Sequence, residues 1–182
     1  MRFDSITGDG RLWALRYDNQ EDNAFFMAFD QWNDVVWLRK FFMDNLDDLE
    51  SYFHITNVNQ AIYDTIDDSE QLECLIMDIS PEADLEAIFR PLENSRASEI
   101  MLSREKARIR ERPRHASWLR IYAICLGKGV YLVTGGAIKL TRTMQEREHT
   151  LLELQKMEQV RRFLLDRDIV DEDSFTEFIK ED

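Results

Sequence analysis

From Trp118 to Cys125 the chain alternates two sets of residues. Trp118, Arg120, Tyr122 and Ile124 fall on one side of an extended strand, and Leu119, Ile121, Ala123 and Cys125 on the other. This is the period-2 pattern of a half-buried strand. Gly127-Lys128-Gly129 supplies a turn, VYLVT reads as the returning strand, and AIKLTRT continues as extended chain after Gly135-Gly136. The solvent-side positions of this sheet are then Arg120, Tyr122, Lys139 and Arg142. Strict alternation puts Lys139 and Arg142 on opposite faces, so a bulge near the glycines, or a strand that ends by Thr141, is needed to bring them together.

The pattern before this stretch is mostly helical. Residues 1–17 read as a β-hairpin, RFDSI and RLWALRY around Thr7-Gly8-Asp9-Gly10, because Asp-Gly between short extended runs favours a tight turn. Residues 22–90 form an acidic helical region. Phe25, Phe26, Phe29 and Trp32 recur at helical spacing, and Asp34 is placed to cap the next helix. Leu38, Phe42, Leu46, Leu49 and Phe53 form a stripe along that second helix, with Asp44, Asp47, Asp48 and Glu50 mostly off it. Asn57 caps a third helix carrying Val58, Ile62, Ile66, Leu72, Ile76 and Ile79, and Ser80-Pro81 starts a short one. These aromatic stripes are core packing rather than a ligand pocket. At the other end, Thr150-Leu151-Leu152-Glu153 fits a capping box, followed by Leu154, Met157, Val160 and Leu164 on a helix ending near Asp168. Residues 166–182 close the chain with an acidic tail helix around Phe175, Phe178 and Ile179. With no repeat or linker, the chain reads as a single domain over 1–182.

Charge changes this picture. The net charge of −13 argues against nucleic-acid binding over the whole surface. Residues 1–95 carry 6 Lys/Arg against 21 Asp/Glu, however, and residues 96–162 carry 15 against 7. The second stretch is either a basic working surface on an acidic body or a segment neutralised by its neighbours in the fold. Its densest part sets Arg104, Lys106, Arg108, Arg110, Arg112 and Arg114 at every second position, with His115 adjoining. That alternation is a strand with one basic face or a basic loop. Its function is phosphate contact or pairing with the acidic helices.

Several chemistries lack their residues. There is no G-x-x-x-x-G-K-S/T or G-x-G-x-x-G loop, no G-x-S-x-G elbow and no His/Cys ligand cluster. Cys74 and Cys125 are widely spaced in apolar contexts, and read as buried thiols rather than a disulfide or metal pair. Neither a secretory signal nor an apolar run of membrane-spanning length is evident, so a cytoplasmic protein with no membrane partner, metal or cofactor is expected. Arg120, Tyr122, Lys139 and Arg142 beside the basic run suit metal-independent RNA cleavage. Cations hold the scissile phosphate and stabilise its pentavalent transition state, while Lys139 or Tyr122 serves as acid or base if neighbouring cations lower its pKa.

FRPLEN, then SWLRIYAI, then GVYLVTGGAIKLTRTM and a C-terminal helix resemble the RelE/ParE superfamily of bacterial toxins, in particular its RelE/HigB-like branch. The resemblance covers residues 88–165, less than half the chain. It implies an α+β fold, a small antiparallel sheet packed by helices over residues 96–165, to which the acidic N-terminal region is an elaboration. It also implies the toxin of a type II toxin–antitoxin module, cleaving messenger RNA on the ribosome and neutralised by an antitoxin protein. Arg120, Lys139 and Arg142 match the basic positions of the family pattern, and Tyr122 and His115 match it less closely. The chain departs from it in being about twice the usual length and acidic overall. Two alternatives accompany this expectation: a non-catalytic interaction module on a RelE-like fold, and a ParE-like toxin that binds DNA gyrase.

Overall fold

Short polar side chains set where the helices begin. In the computed structural model, which describes residues 1–18, 20–77, 85–92, 101–109, 115–127 and 129–181, the Asn23 carboxamide oxygen accepts from the Phe25 and Phe26 amides, both at 3.2 Å. This starts α1 (Ala24–Asn33). Asp34 follows at once and accepts from the amides of Val36 and Trp37 at 2.9 and 3.0 Å, starting α2 (Val35–Asp44). Each cap satisfies N–H groups that have no partner inside the helix. The stripe from Leu38 to Phe53 is divided between α2 and α3 (Leu46–Phe53). The break falls at Asn45, whose backbone leaves helical angles and whose side-chain amide donates to the Phe41 carbonyl at 2.8 Å. Asn57 caps α4 (Val58–Met77) through the amides of Asn59 and Gln60. The expected helix start at Ser80-Pro81 lies outside the described residues.

The sheet has six strands among the described residues: β1 (Arg2–Ser5), β2 (Leu12–Arg16), β3 (Phe89–Pro91), β4 (Arg104–Ala107), β5 (Leu119–Gly127) and β6 (Val130–Ile138). Their order is β1-β2-β6-β5-β4-β3. Every pairing is antiparallel except β2 with β6, which is parallel, so the sheet is mixed. A four-residue helix, α5 (Leu85–Ile88), leads into β3. A 3-10 turn (Met144–Glu146), α6 (Glu148–Leu165) and α7 (Glu172–Glu181) follow β6. The fold is α+β.

Helices cover both faces of the sheet. Leu119, Ile121, Ala123, Val133 and Ile138 join Phe25, Trp32, Phe42, Leu49 and Leu72 from α1–α4 in one core. Tyr122, Ile124, Leu132 and Ala137 join Met157, Val160 and Leu164 of α6 and Phe175 of α7 in a second. The acidic helical region therefore packs on the sheet through its apolar stripes. The expectation of a half-buried β5 is corrected: residues 119–124 are buried on both sides, because the apolar stripes of α6 and α7 occupy the face assigned to solvent. Trp118, just before the strand, turns into the first core.

Gly135 and Gly136 let the two helical layers approach. A Cβ on Gly135 would meet the Glu153 carboxylate of α6 at 1.9 Å. A Cβ on Gly136 would lie 2.8 Å from the Ala28 Cβ and 3.0 Å from the Trp32 ring of α1. Trp32 is fully buried and cannot swing away. Gly136→Ala should therefore destabilise the fold by ~1–3 kcal/mol, the usual cost of overpacking. Thermal or urea unfolding would measure it, and an unchanged midpoint would contradict this packing.

The start of α6 also differs from expectation. Thr150 and Glu153 do not form its capping box: Thr150 lies buried inside the helix, its hydroxyl donating to the Met144 and Arg147 carbonyls at 2.7 and 3.0 Å. The reciprocal box is formed by Thr143 and Glu146, where the Glu146 carboxylate accepts from the Thr143 amide at 2.5 Å. Both segments satisfy the same sequence rule. The one whose threonine stays at the surface forms the box, and it caps the 3-10 turn Met144–Glu146; α6 itself begins after Arg147 with no side-chain cap.

Candidate functional site: a cationic pocket

β4 supplies the first wall. Lys106 stands opposite Tyr122 in the register, and Arg104 opposite Ile124, so the alternating cations share the face of β5 that carries Arg120 and Tyr122. The next strand reaches this face through a bulge. Tyr122 pairs with Gly135 and Ala123 with Val133, leaving Thr134 unmatched. The extra residue reverses the alternation, so that Ala137 points to the same core as Leu132 and Lys139 falls in line with them. β6 ends at Ile138, and the chain then bends so that Arg142 comes to the same place. Both routes anticipated for uniting Lys139 with Arg142, a bulge near the glycines and an early strand end, are present.

These residues enclose a pocket of about 580 Å³, within the ~300–1,000 Å³ typical of small-molecule sites. Arg104, Lys106, Arg108, Arg120, Lys139 and Arg142 all line it, together with Tyr122, Thr143, Gln145 and three apolar side chains. No carboxylate is among the described residues of the lining. That is notable in a chain of charge −13.

Burial is graded across it. Arg120 is 9% exposed and Tyr122 fully buried; Arg104, Lys106 and Lys139 are half-buried, and Arg108 and Arg142 are exposed at the rim. Burial, together with the nearby Arg108 charge, pulls the Arg120 guanidinium down to about 10. The ammonium groups of Lys106 and Lys139 also lie below the ordinary lysine range, chiefly through burial and then through Arg120. Lys139 Nζ donates to the Thr141 and Arg142 carbonyls, both at 2.5 Å, which fixes the bend after β6. Arg104 is drawn toward Glu158 of α6 at 3.7 Å. The Tyr122 phenol is pushed up, by burial first; Arg120 opposes that shift and the Glu153 charge adds to it. Tyr122 is therefore an O–H donor and not the base that neighbouring cations were expected to make it.

His115 does not join the pocket. Its Nε2 lies 3.1 Å from an Asp64 carboxylate oxygen, and its ring stacks on Trp118 at 4.3 Å between centroids. It therefore lies with α4 and the first core, away from Arg120 and Lys139, because Trp118 turns that way before β5 begins. Arg110, Arg112 and Arg114 lie outside the described residues. Of the other lining groups, Thr143 and Gln145 carry no signal in the sequence that marks them; they reach the pocket through the bend and the 3-10 turn. No protein-family model, curated protein or solved structure matches this chain. No helix among the described residues is long and apolar enough to cross a membrane.

Proposed function

We propose that this chain is a RelE/HigB-like toxin, a metal-independent endoribonuclease acting on messenger RNA at the ribosome and held in check by an antitoxin protein. One observation carries this reading. Arg104, Lys106, Arg108, Arg120, Tyr122, Lys139 and Arg142, all named for phosphate chemistry from sequence, line a single pocket with no carboxylate among the described residues of its lining. The meander they lie on is the stretch that resembles the toxin family.

The chemistry follows from the charges. Arg120 and the rim arginines hold the scissile phosphate and take up the extra negative charge of the pentavalent transition state. The RNA 2′-oxygen attacks phosphorus, the bond from phosphorus to the 5′-oxygen breaks, and the products are a 2′,3′-cyclic phosphate and a 5′-hydroxyl. Lys139, whose ammonium is destabilised by burial and by Arg120 and Lys106, takes the 2′-OH proton as the free amine. Lys106, as the ammonium, gives a proton to the departing 5′-oxygen. Both ammonium groups are lowered by burial and by Arg120, and the reaction uses one lysine as base and the other as acid.

Induced expression in a bacterial host should arrest growth. Lys139→Ala and Arg142→Ala should relieve the arrest while the variants remain folded and soluble. Continued growth despite abundant soluble wild-type protein would sink the proposal. A stable, salt-sensitive complex with an acidic protein and intact transcripts would favour a non-catalytic binding module instead. DNA-damage signalling with intact RNA would point to a gyrase-directed toxin.

A further inference from the structure

A guanidinium carries five N–H donors in a fixed fork. In Arg120 the two on Nη1 are used inside the protein, donating to the Ser117 carbonyl at 2.7 Å and to the Leu119 carbonyl at 2.6 Å. These contacts lock the rotation of the fork. The opposite edge, Nε–H with one Nη2–H, makes no hydrogen bond or ion pair among the described residues. It is the edge that accepts two oxygens of one anion side by side.

Beside it, the Tyr122 hydroxyl is buried with no hydrogen-bond partner, although a buried polar group ordinarily has one. Three unfilled donors, the two N–H groups of the Arg120 edge and the Tyr122 hydroxyl, thus belong to the deepest side chains of a pocket whose charged groups, among the described residues of its lining, are all positive. Burying such charges without an opposite one is unfavourable. The lowered proton affinity of Arg120, Lys106 and Lys139 has the same origin, and an anion seated among them would reverse it.

We infer that the floor of this pocket is a binding site for a terminal phosphate, the dianionic end of a phosphomonoester or free orthophosphate, held by the Nε/Nη2 edge of Arg120 with Lys106 and Lys139 at its sides. The inference rests on the phosphate-binding reading of the same pocket and adds which phosphate reaches the floor. Arg120 and Tyr122 are buried, while Arg108 and Arg142 stand at the rim. A phosphate in the middle of a chain must carry an ester substituent out in two directions, and so meets Arg120 only from the rim side, between Arg108 and Arg142, without filling the floor. A terminal phosphate has three oxygens without substituents and one way out, which suits a recess that narrows to one guanidinium edge. An RNA fragment ending in phosphate, or orthophosphate, would therefore occupy the floor and compete with new substrate.

The test is a titration of the full chain, at neutral pH and fixed ionic strength, with orthophosphate, a nucleoside 3′-monophosphate, a nucleoside 5′-monophosphate and dimethyl phosphate. The 31P signal of each ligand and the Arg Nε–H resonances of the protein are followed. Orthophosphate and at least one monophosphate should shift one Arg Nε–H signal saturably, the signal lost in Arg120→Lys. Dimethyl phosphate, with two oxygens capped and one charge fewer, should bind about tenfold more weakly or worse, given the strength of hydrogen bonds between charged groups. Arg120→Lys should also weaken orthophosphate, since an ammonium cannot form the paired contact. If the Arg120 variant does not fold, Lys139→Gln serves in its place and should weaken orthophosphate severalfold. Orthophosphate alone would mark a site for the free ion; a monophosphate binding more tightly would mark a nucleotide end.

No saturable shift, equal binding of dimethyl phosphate, or unchanged affinity in the variant that folds would each overturn the inference. Phosphate binding by a chain that leaves RNA intact would keep this site and remove the nuclease. RNA cleavage without phosphate binding would do the reverse.

Discussion

On ribosome-bound messenger RNA, Lys139→Ala should cut the cleavage rate by ~10²–10⁴-fold, the usual contribution of a positioned acid or base. The loss should appear in the chemical step rather than in RNA binding, because Arg104, Arg108, Arg120 and Arg142 still line the pocket. The pH profile gives an independent check. Lys139 must be the free amine, and its folded pKa lies below the ordinary 10.5, so the rate rises with pH on a limb set by that lowered value. Lys106 must be the ammonium and is itself lowered, so the rate falls again as Lys106 loses its proton. The profile is a bell, and its rising limb should vanish in Lys139→Ala. A variant that cleaves at the wild-type rate would remove Lys139 from the chemistry. A wild-type profile that is flat across this range would remove both lysines.

Trp118→Ala should produce the largest loss of stability, ~3–5 kcal/mol for a buried tryptophan. Trp118 is fully buried and sits where α2, α3 and α4 meet the start of β5. Its ring meets Phe42 and Phe53 edge-on, with centroids 5.6 and 5.1 Å away, and His115 stacks flat on it. Its indole N–H donates to the Thr65 hydroxyl at 2.9 Å. Truncation opens a cavity, removes this hydrogen bond and frees the His115 ring. Urea unfolding would show a lower midpoint, and Trp118→Phe should recover much of the loss while still lacking the bond to Thr65. A loss near zero for Trp118→Ala would mean that the helices do not pack on the sheet as described. The same substitution should also disturb the pocket, since the Ser117 and Leu119 carbonyls on either side of Trp118 hold Arg120 Nη1.

Much of the scaffold can be read locally. The hairpin over residues 1–17, the caps at Asp34 and Asn57, and the shared face of Arg120, Tyr122 and Ile124 each depend on a few neighbouring residues, and the structure forms them. The basic alternation begins as a strand, β4, with Arg104 and Lys106 on one face, and Arg108 follows its end. What escaped the sequence depends on contacts between distant segments. The face of β5 that carries Arg120 and Tyr122 is buried, because α6 and α7, more than 20 residues further along the chain, close over it. Tyr122 is therefore a buried phenol with a raised pKa rather than an exposed group tuned by cations. That the box forms at Thr143, ahead of a 3-10 turn, and not at Thr150 could not be decided without knowing which threonine is buried. His115 adjoins the basic run in sequence but is turned away by the Trp118 ring and by Asp64, 51 residues earlier. The bulge at Thr134, which decides the face of Lys139, shows in the sequence only as the glycine pair beside it.

The central claim is that the cationic pocket cuts messenger RNA. It is tested most directly by mapping transcript 5′ ends within minutes of induced expression, beside an Arg120→Ala/Lys139→Ala/Arg142→Ala variant. New ends inside translated regions with the wild-type chain, and none with the variant, is the predicted result. Unchanged ends in cells that hold abundant folded wild-type protein would contradict it.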